Sequence, residues 1–289
     1  MVKFAACQYA IALFDDWVAY AADQESLAAE AAAQGAQLLL LPEYSAMALT
    51  GLLPQAERGD LHKSIAGIQP LIPRWLDLCE TIARRHGVWF CPGSAPVLDA
   101  DGKFRNRAFL FGPDGALGHQ DKIIMTRFER EQWFIAAGGE GLRTFETPFG
   151  RLGILICYDN EFPMLARRLA EEGVDLVLAP SCTDTEAGYH RVRIGAQARA
   201  LENQFAVLVS PTAGRAPWSP AVDENFGRAG LYVPADYGMP PDGVYAQSEE
   251  VFRAASCWLF GEIDLARVAA LRCEGQVALY RDWPEQFAV

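Results

Sequence analysis

Short apolar runs alternate along the chain with longer stretches whose apolar positions recur at helical spacing, the order expected of an α/β protein. The runs at 2–10, 36–42, 88–95, 106–112, 152–157, 175–180, 205–210 and 251–260 predict strands, and 16–34, 68–86, 160–172 and 188–203 predict helices. The first helix is alanine-rich and stops at Gly35; the second closes on Arg84, Arg85, His86 and then Gly87, a favourable helix C-terminus. "LLLL" and "GILI" are apolar without interruption, so both faces of their sheet should be covered. In "NRAFLFGPDGALGHQDK" two strand-like runs flank Gly-Pro-Asp-Gly, which predicts a hairpin.

With 289 residues, 51% of them hydrophobic, the chain can bury one large core. No linker-like run and no fixed-period repeat divides it, so a single domain over 1–289 is expected. Apolar segments such as "AQLLLLPEY" are too short to cross a bilayer, and "MVKFAACQYA" has no charged region ahead of a long apolar one. The expectation is a soluble, cytoplasmic protein. Seven scattered cysteines with no CxxC argue against a disulfide framework and a zinc ribbon, and most should be small reduced core residues. A net charge of -12 disfavours nucleic acid and anionic membrane surfaces as partners and makes a neutral or cationic small molecule easier to accommodate.

Three reactive side chains sit where an apolar run ends: Glu43 in "LLLLPE", Lys122 in "GHQDK" and Cys157 in "GILIC". Sites of open α/β sheets gather outside the carboxyl ends of strands, so the three are candidates for one site. Each also has a plain reading: Cys157 as inert core, Glu43 as an exposed strand-end acid, Lys122 as a solvated hairpin lysine. Against these, a strand-to-helix turn after Cys157 would point backbone N–H groups, that of Tyr158 included, at an anion, and with a nearby cation would favour a thiolate. A dry wall of Pro42 and leucines would raise the Glu43 pKa toward the range of a general base. Of the histidines, His62 and His86 read as surface residues, and His119 and His190 lack a cysteine-protease context, so a carboxylate base is the better partner for the cysteine.

"LLLLPEYS", "HQDKIIMTRFEREQW" and "GILICYDNEFP", in that order and followed by "DLVLAPS" and "RARALENQ", resemble the nitrilase superfamily of carbon-nitrogen hydrolases from "KFAACQ" to "WLFGEID". The resemblance implies a four-layer α-β-β-α sandwich that often pairs into an eight-layer dimer, so a homodimer or higher homo-oligomer is expected. It implies Glu43 as general base and acid, Lys122 as the cation on a tetrahedral oxyanion, and Cys157 as the nucleophile. It also implies a second glutamate seven residues before a glycine, which selects Glu131 ahead of Gly138, with Glu129 close by. No metal or organic cofactor is needed, and loss of Lys122 is expected to cripple turnover without unfolding the protein.

"CYDNEFP" is closer to amidase-type members than to nitrile-hydrolysing ones, whose cysteine is usually followed by Trp-Glu. A small carboxamide is therefore the expected substrate, with N-carbamoyl compounds and nitriles as alternatives on the same site. By adjacency, the substrate wall is expected to draw on Tyr158, Trp133, Phe162, Thr183 and His190. The tail over 275–289 carries Tyr280, Trp283 and Phe287, aromatic enough for a subunit interface and equally able to pack on its own chain. Two readings of another class are a binding protein that keeps the fold without turnover, and a redox sensor pairing Cys157 with Cys182.

Overall fold

The computed structural model describes residues 1–288; Val289, the last residue of the expected tail, lies outside them. The first half of the chain forms β1 (Val2–Ala10), α1 (Trp17–Ala33), β2 (Leu38–Leu40), α2 (Gln55–Arg58), α3 (Leu61–Gly67), α4 (Ile72–His86), β3 (Trp89–Cys91), β4 (Ser94–Leu98), β5 (Phe104–Gly112), β6 (Gly115–Asp121), α5 (Arg127–Glu131) and β7 (Ile135–Ala136). The second half forms β8 (Thr144–Thr147), β9 (Gly150–Ile154), α6 (Pro163–Glu171), β10 (Leu176–Ser181), α7 (Glu186–Asn203), β11 (Ala206–Arg215), β12 (Glu224–Asn225), β13 (Gly230–Tyr232), β14 (Val244–Gln247), β15 (Cys257–Ile263), α8 (Leu265–Glu274) and α9 (Leu279–Asp282).

One sheet runs β6-β5-β3-β2-β1-β15, with β4 and β7 also paired to β5. The other runs β8-β9-β10-β11-β13-β14. They meet at one corner, where Tyr9 and Ala10 of β1 pair in parallel with Thr212 and Ala213 of β11. The alternation of a strand sorts its residues between two cores. Val2, Phe4, Ala6, Leu38 and Leu40 face the second sheet and meet Leu152, Ile154, Leu176 and Leu178. Ala5, Cys7, Tyr9, Leu39 and Leu41 face outward and meet Tyr20, Ala28 and Ala31 of α1 and Trp75, Cys79 and Ile82 of α4. Helices α6 and α7 cover the far face of the second sheet with Leu165, Ala166, Leu169, Val192, Ala196 and Ala200. The result is the four-layer α-β-β-α sandwich, and "LLLL" is unbroken because β2 is covered on both faces.

Several boundaries differ from the sequence expectation. The strand expected over 152–157 ends at Ile154, and Cys157 opens a short 3-10 turn, Cys157–Glu161. The run expected over 251–260 pairs only from Cys257, because pairing follows the register of β1 rather than the apolar run. No helix among the described residues is long and apolar enough to cross a membrane, and all seven cysteines are free thiols.

The tail packs on its own chain. Arg167 of α6, almost fully buried, donates Nη1 to the Tyr280 carbonyl at 2.9 Å and lies over the rings of Tyr280 (4.6 Å) and Trp283 (5.4 Å), while Phe287 stays exposed. Removing this side chain strands a buried carbonyl and two ring faces. Arg167→Ala is therefore expected to lower the unfolding free energy by about 2 kcal/mol in urea titrations.

Candidate active site

Four chain segments converge at the carboxyl ends of the parallel strands. Glu43 follows β2, Lys122 follows β6, Cys157 follows β9, and Cys182 follows β10. The loop bearing Glu43 is shaped from beneath by Gly93 (φ +81°), where any Cβ would fall 1.8 Å from the Pro42 carbonyl. Beside it Tyr44 takes a left-handed backbone (φ 58°) and donates its N–H to Ser94 Oγ at 2.9 Å. Cys157 is left-handed too (φ 49°). Such conformations cost an ordinary residue on the order of 1–3 kcal/mol and persist only where the surroundings impose them. Here two of them lie at or next to reactive side chains.

Lys122 is 1% exposed, and its ammonium is held by Glu43 Oε1 at 2.7 Å and Glu129 Oε2 at 2.6 Å. Asn106, fully buried in β5, donates Nδ2 to both carboxylates, at 2.8 Å to Glu43 and 3.0 Å to Glu129. Glu43 Oε2 accepts the Cys182 N–H at 2.9 Å. Glu129 also accepts from the Tyr44 hydroxyl (2.7 Å), the Thr126 N–H (2.9 Å) and the Thr126 hydroxyl (2.9 Å). The Cys157 thiol donates to the Cys182 carbonyl at 3.6 Å and interacts with the Glu43 carboxyl.

One cation between two carboxylates leaves an excess negative charge, and the donors decide where its cost falls. Burial pushes the Glu43 pKa up against the pull of the Lys122 charge, and the Glu129 charge adds to the rise. Burial acts on Glu129 as well, but Lys122, Tyr44 and Asn106 outweigh it and hold this carboxyl below its ordinary value. Of the two carboxylates, Glu43 has the greater affinity for a proton. The cysteine departs from the sequence expectation of a thiolate: burial and the neighbouring Glu43 charge raise the thiol well above its ordinary pKa, and Lys122 only partly opposes them. The thiol form of Cys157 is thereby favoured beside the Glu43 carboxyl.

The structure brings Glu129, rather than the expected Glu131, to Lys122. Glu131 points away from Lys122 on α5, half-exposed, and pairs with Arg127 at 2.9 Å. The sequence carried the deciding signal: Thr126-x-x-Glu129 forms a capping box, which turns the Glu129 carboxyl back toward the helix start where Lys122 lies. The spacing to Gly138 said nothing about side-chain direction. Asn106 and Asp159 were also missed. Asp159 is fully buried two residues after Cys157 and accepts the Ile124 N–H at 2.7 Å and the Ile123 N–H at 3.1 Å, tying the segment after Lys122 to the cysteine turn.

The expected wall residues divide. Tyr158 adjoins Cys157, its N–H takes no protein acceptor among the described residues, and its ring meets Phe162 edge-on at 4.9 Å. Trp133 packs on Tyr44 at 4.9 Å. Thr183 follows Cys182, but its hydroxyl is engaged by the Phe226 carbonyl at 2.5 Å. His190 lies on the outer face of α7, 46% exposed and 3.7 Å from Glu186, so the structure does not bring it into the site. A residue at helix spacing from the site loop can still face solvent.

Comparison with known proteins gives the family. The carbon-nitrogen hydrolase family model matches residues 3–243, and the chain belongs to that family, within the nitrilase superfamily. It is 34% identical over 208 residues to the probable hydrolase YhcX of Bacillus subtilis, an alignment covering 72% of this chain and 40% of that one. It is 31% identical over 207 residues to the omega-amidase NIT2-B of Xenopus laevis, covering 68% of this chain and 67% of the relative. Among solved structures, an amidase from Nesterenkonia sp. AN1 superposes with a TM-score of 0.72 at 22% identity, over 98% of this chain and 100% of that one.

Three expectations follow. Lys122→Met leaves two buried carboxylates without their cation, so beyond its effect on turnover it should lower the unfolding free energy by about 3–5 kcal/mol, against the expectation from sequence. In the same assays Glu129→Gln should lose activity about 100-fold, whereas Glu131→Gln should stay within about 0.5 kcal/mol and keep its activity. Burial pushes Asp159 from 3.8 up to about 7, against Lys122 and its two amide donors. The folded state then holds the extra proton between those values, and wild-type stability falls as pH rises through the window. Asp159→Asn keeps both amide bonds through Oδ1 without that slope. Its stability relative to wild type should climb from pH 4 to pH 8 by about 4 kcal/mol, read from urea unfolding at each pH.

Proposed function

We propose that the chain is an amidase-type hydrolase that cleaves the C–N bond of a small carboxamide through a thioester on Cys157. The observation that carries this reading is the buried ammonium of Lys122 held between Glu43 and Glu129 beside a neutral thiol. Glu43 takes the thiol proton as Sγ bonds to the amide carbon and the carbonyl electrons move to oxygen. An ammonium has three protons, and two of those on Lys122 are bonded to the glutamates, so the third remains for the oxyanion together with the Tyr158 N–H. As the C–N bond breaks, Glu43 returns its proton to the departing ammonia or amine. Glu43 then takes a proton from water, whose oxygen attacks the thioester, and the proton passes to Cys157 as the acid leaves.

Glu129 does not exchange protons in this scheme. Its five donors keep it charged, and its charge keeps Lys122 an ammonium: burial alone would strip the lysine, whereas the two carboxylates raise its pKa well above the ordinary value. The omega-amidase name of the Xenopus relative supports an amide over a nitrile, as does the Tyr158-Asp159 pair following the cysteine.

Purified protein incubated with aliphatic and aromatic amides, N-carbamoyl compounds and nitriles should release ammonia from an amide and carry an acyl mass on Cys157 alone. Cys157→Ala should show neither. Full activity in that variant would defeat the mechanism, and an unreactive Cys157 across the panel would favour the binding-protein reading.

A further inference from the structure

Hydrogen-bond supply can be counted oxygen by oxygen across the two buried carboxylates, each oxygen offering about two lone-pair positions. Among the described residues, Glu129 Oε1 accepts from the Tyr44 hydroxyl and from Asn106 Nδ2, and Glu129 Oε2 from Lys122 and from the N–H and hydroxyl of Thr126. Glu43 Oε1 accepts from Lys122 and again from Asn106 Nδ2. These three oxygens are filled. Within the same set, Glu43 Oε2 accepts the Cys182 N–H alone, at 2.9 Å, and keeps one position open.

That open position lies on the side of the reacting thiol. Cys182 gives its N–H to Oε2 and takes the Cys157 thiol on its carbonyl, so one residue holds the oxygen and the sulfur side by side. Oε1, left bare, would be an equally good proton acceptor. A proton placed there would neutralise the base without having come from the thiol. Besides the lysine, Asn106 is what covers it.

Asn106 is fully buried, and its Oδ1 has no donor among the described residues. A buried amide oxygen without a partner is costly, and a side chain kept only for packing would avoid that cost. The two carboxylates impose the orientation, because the amide turned over would set its oxygen against two acceptors and withdraw both N–H bonds. The residue is therefore held by what it donates: one hydrogen to Glu43 at 2.8 Å and one to Glu129 at 3.0 Å.

We propose that Asn106 is a positioning residue of the reaction, which closes Oε1 of both glutamates so that the thiol proton of Cys157 passes to Oε2 of Glu43 and is returned from there. This rests on the amide-hydrolase reading above. Asn106 forms no hydrogen bond with Cys157 among the described residues and acts through Glu43. The other groups facing Glu43 are Lys122 after β6, Glu129 of α5, Cys157 after β9, Cys182 after β10 and the adjacent Tyr44. Asp159 lies in the field of the same ammonium. Deleting the Asn106 donors leaves all of these in place and raises the proton affinity of both carboxyls.

Asn106→Leu keeps the branched shape and removes both donors. With an amide that the wild type hydrolyses, kcat should fall about tenfold or more with KM little changed, and the acid limb of the kcat/KM profile should move up by about one pH unit. The same shift should appear without turnover, in the pH dependence of Cys157 alkylation by iodoacetamide, read by peptide mass. Asn106→Asp has the native shape and, protonated between two carboxylates, one hydrogen to donate. Its kcat should exceed that of Asn106→Leu at about pH 6 and lose the advantage by about pH 9, as the third carboxylate forms. If Asn106→Leu does not fold, Asn106→Asp decides against the wild type: a rate that falls over that range only in the variant supports the proposal, and parallel profiles overturn it. Amide turnover with both acid limbs unshifted would overturn the role of Asn106 and leave the hydrolase reading standing. A shifted alkylation limb in a protein that hydrolyses no amide would uphold that role and defeat the hydrolase reading.

Discussion

A lysine ammonium with no water around it is unstable unless anions replace its hydration, and the architecture around Lys122 supplies two. Moving such a charge out of water costs several kcal/mol, recovered only when the geometry is tight and the remaining lone pairs are satisfied. That condition reaches far into the chain. It requires β2 to deliver Glu43, the β5–β6 hairpin to deliver Asn106 and Lys122, α5 to deliver Glu129, and β10 to deliver the Cys182 N–H. The four layers can be seen as the means of bringing these ends to one point. Removing the cation would leave like charges facing each other inside the protein.

The asymmetry between the glutamates follows from hydrogen-bond supply. Both are buried beside the same lysine, and both share the Asn106 amide. Glu129 has three further donors from Tyr44 and Thr126, whereas Glu43 has one further backbone donor and a thiol. Two residues of one type thus acquire different proton affinities without differing in burial. Tyr44, left-handed next to Glu43, gives its N–H to Ser94 and its hydroxyl to Glu129, so one residue anchors the loop that carries the first carboxylate and binds the second.

Much of this was legible in the sequence. Apolar periodicity marked the strands and helices that form the two sheets and their covers, and the three reactive residues at run ends are indeed brought together. What failed depended on direction rather than position. Glu129 and Glu131 are two residues apart on a helix and so point to different sides, and only the Thr126 capping box distinguishes them. Asn106 looked like the first residue of a strand, since a polar side chain at a strand start needs no explanation until its burial is known. His190 was placed by proximity in sequence, but three residues along α7 turn it out to solvent. The protonation state of Cys157 could not be read from dipoles near a strand end, because desolvation outweighs them and depends on the whole fold.

The capping box has a consequence for how the site comes apart. Helix α5 has five residues, too few to persist on propensity alone. Its first turn is closed by the same carboxylate that neutralises Lys122. Local unfolding of this helix and disassembly of the charge cluster are therefore a single cooperative event. Molecules in which α5 opens lose one of the two anions on Lys122, and amide hydrogen exchange over Arg127–Glu131 would report how often the charge cluster loosens.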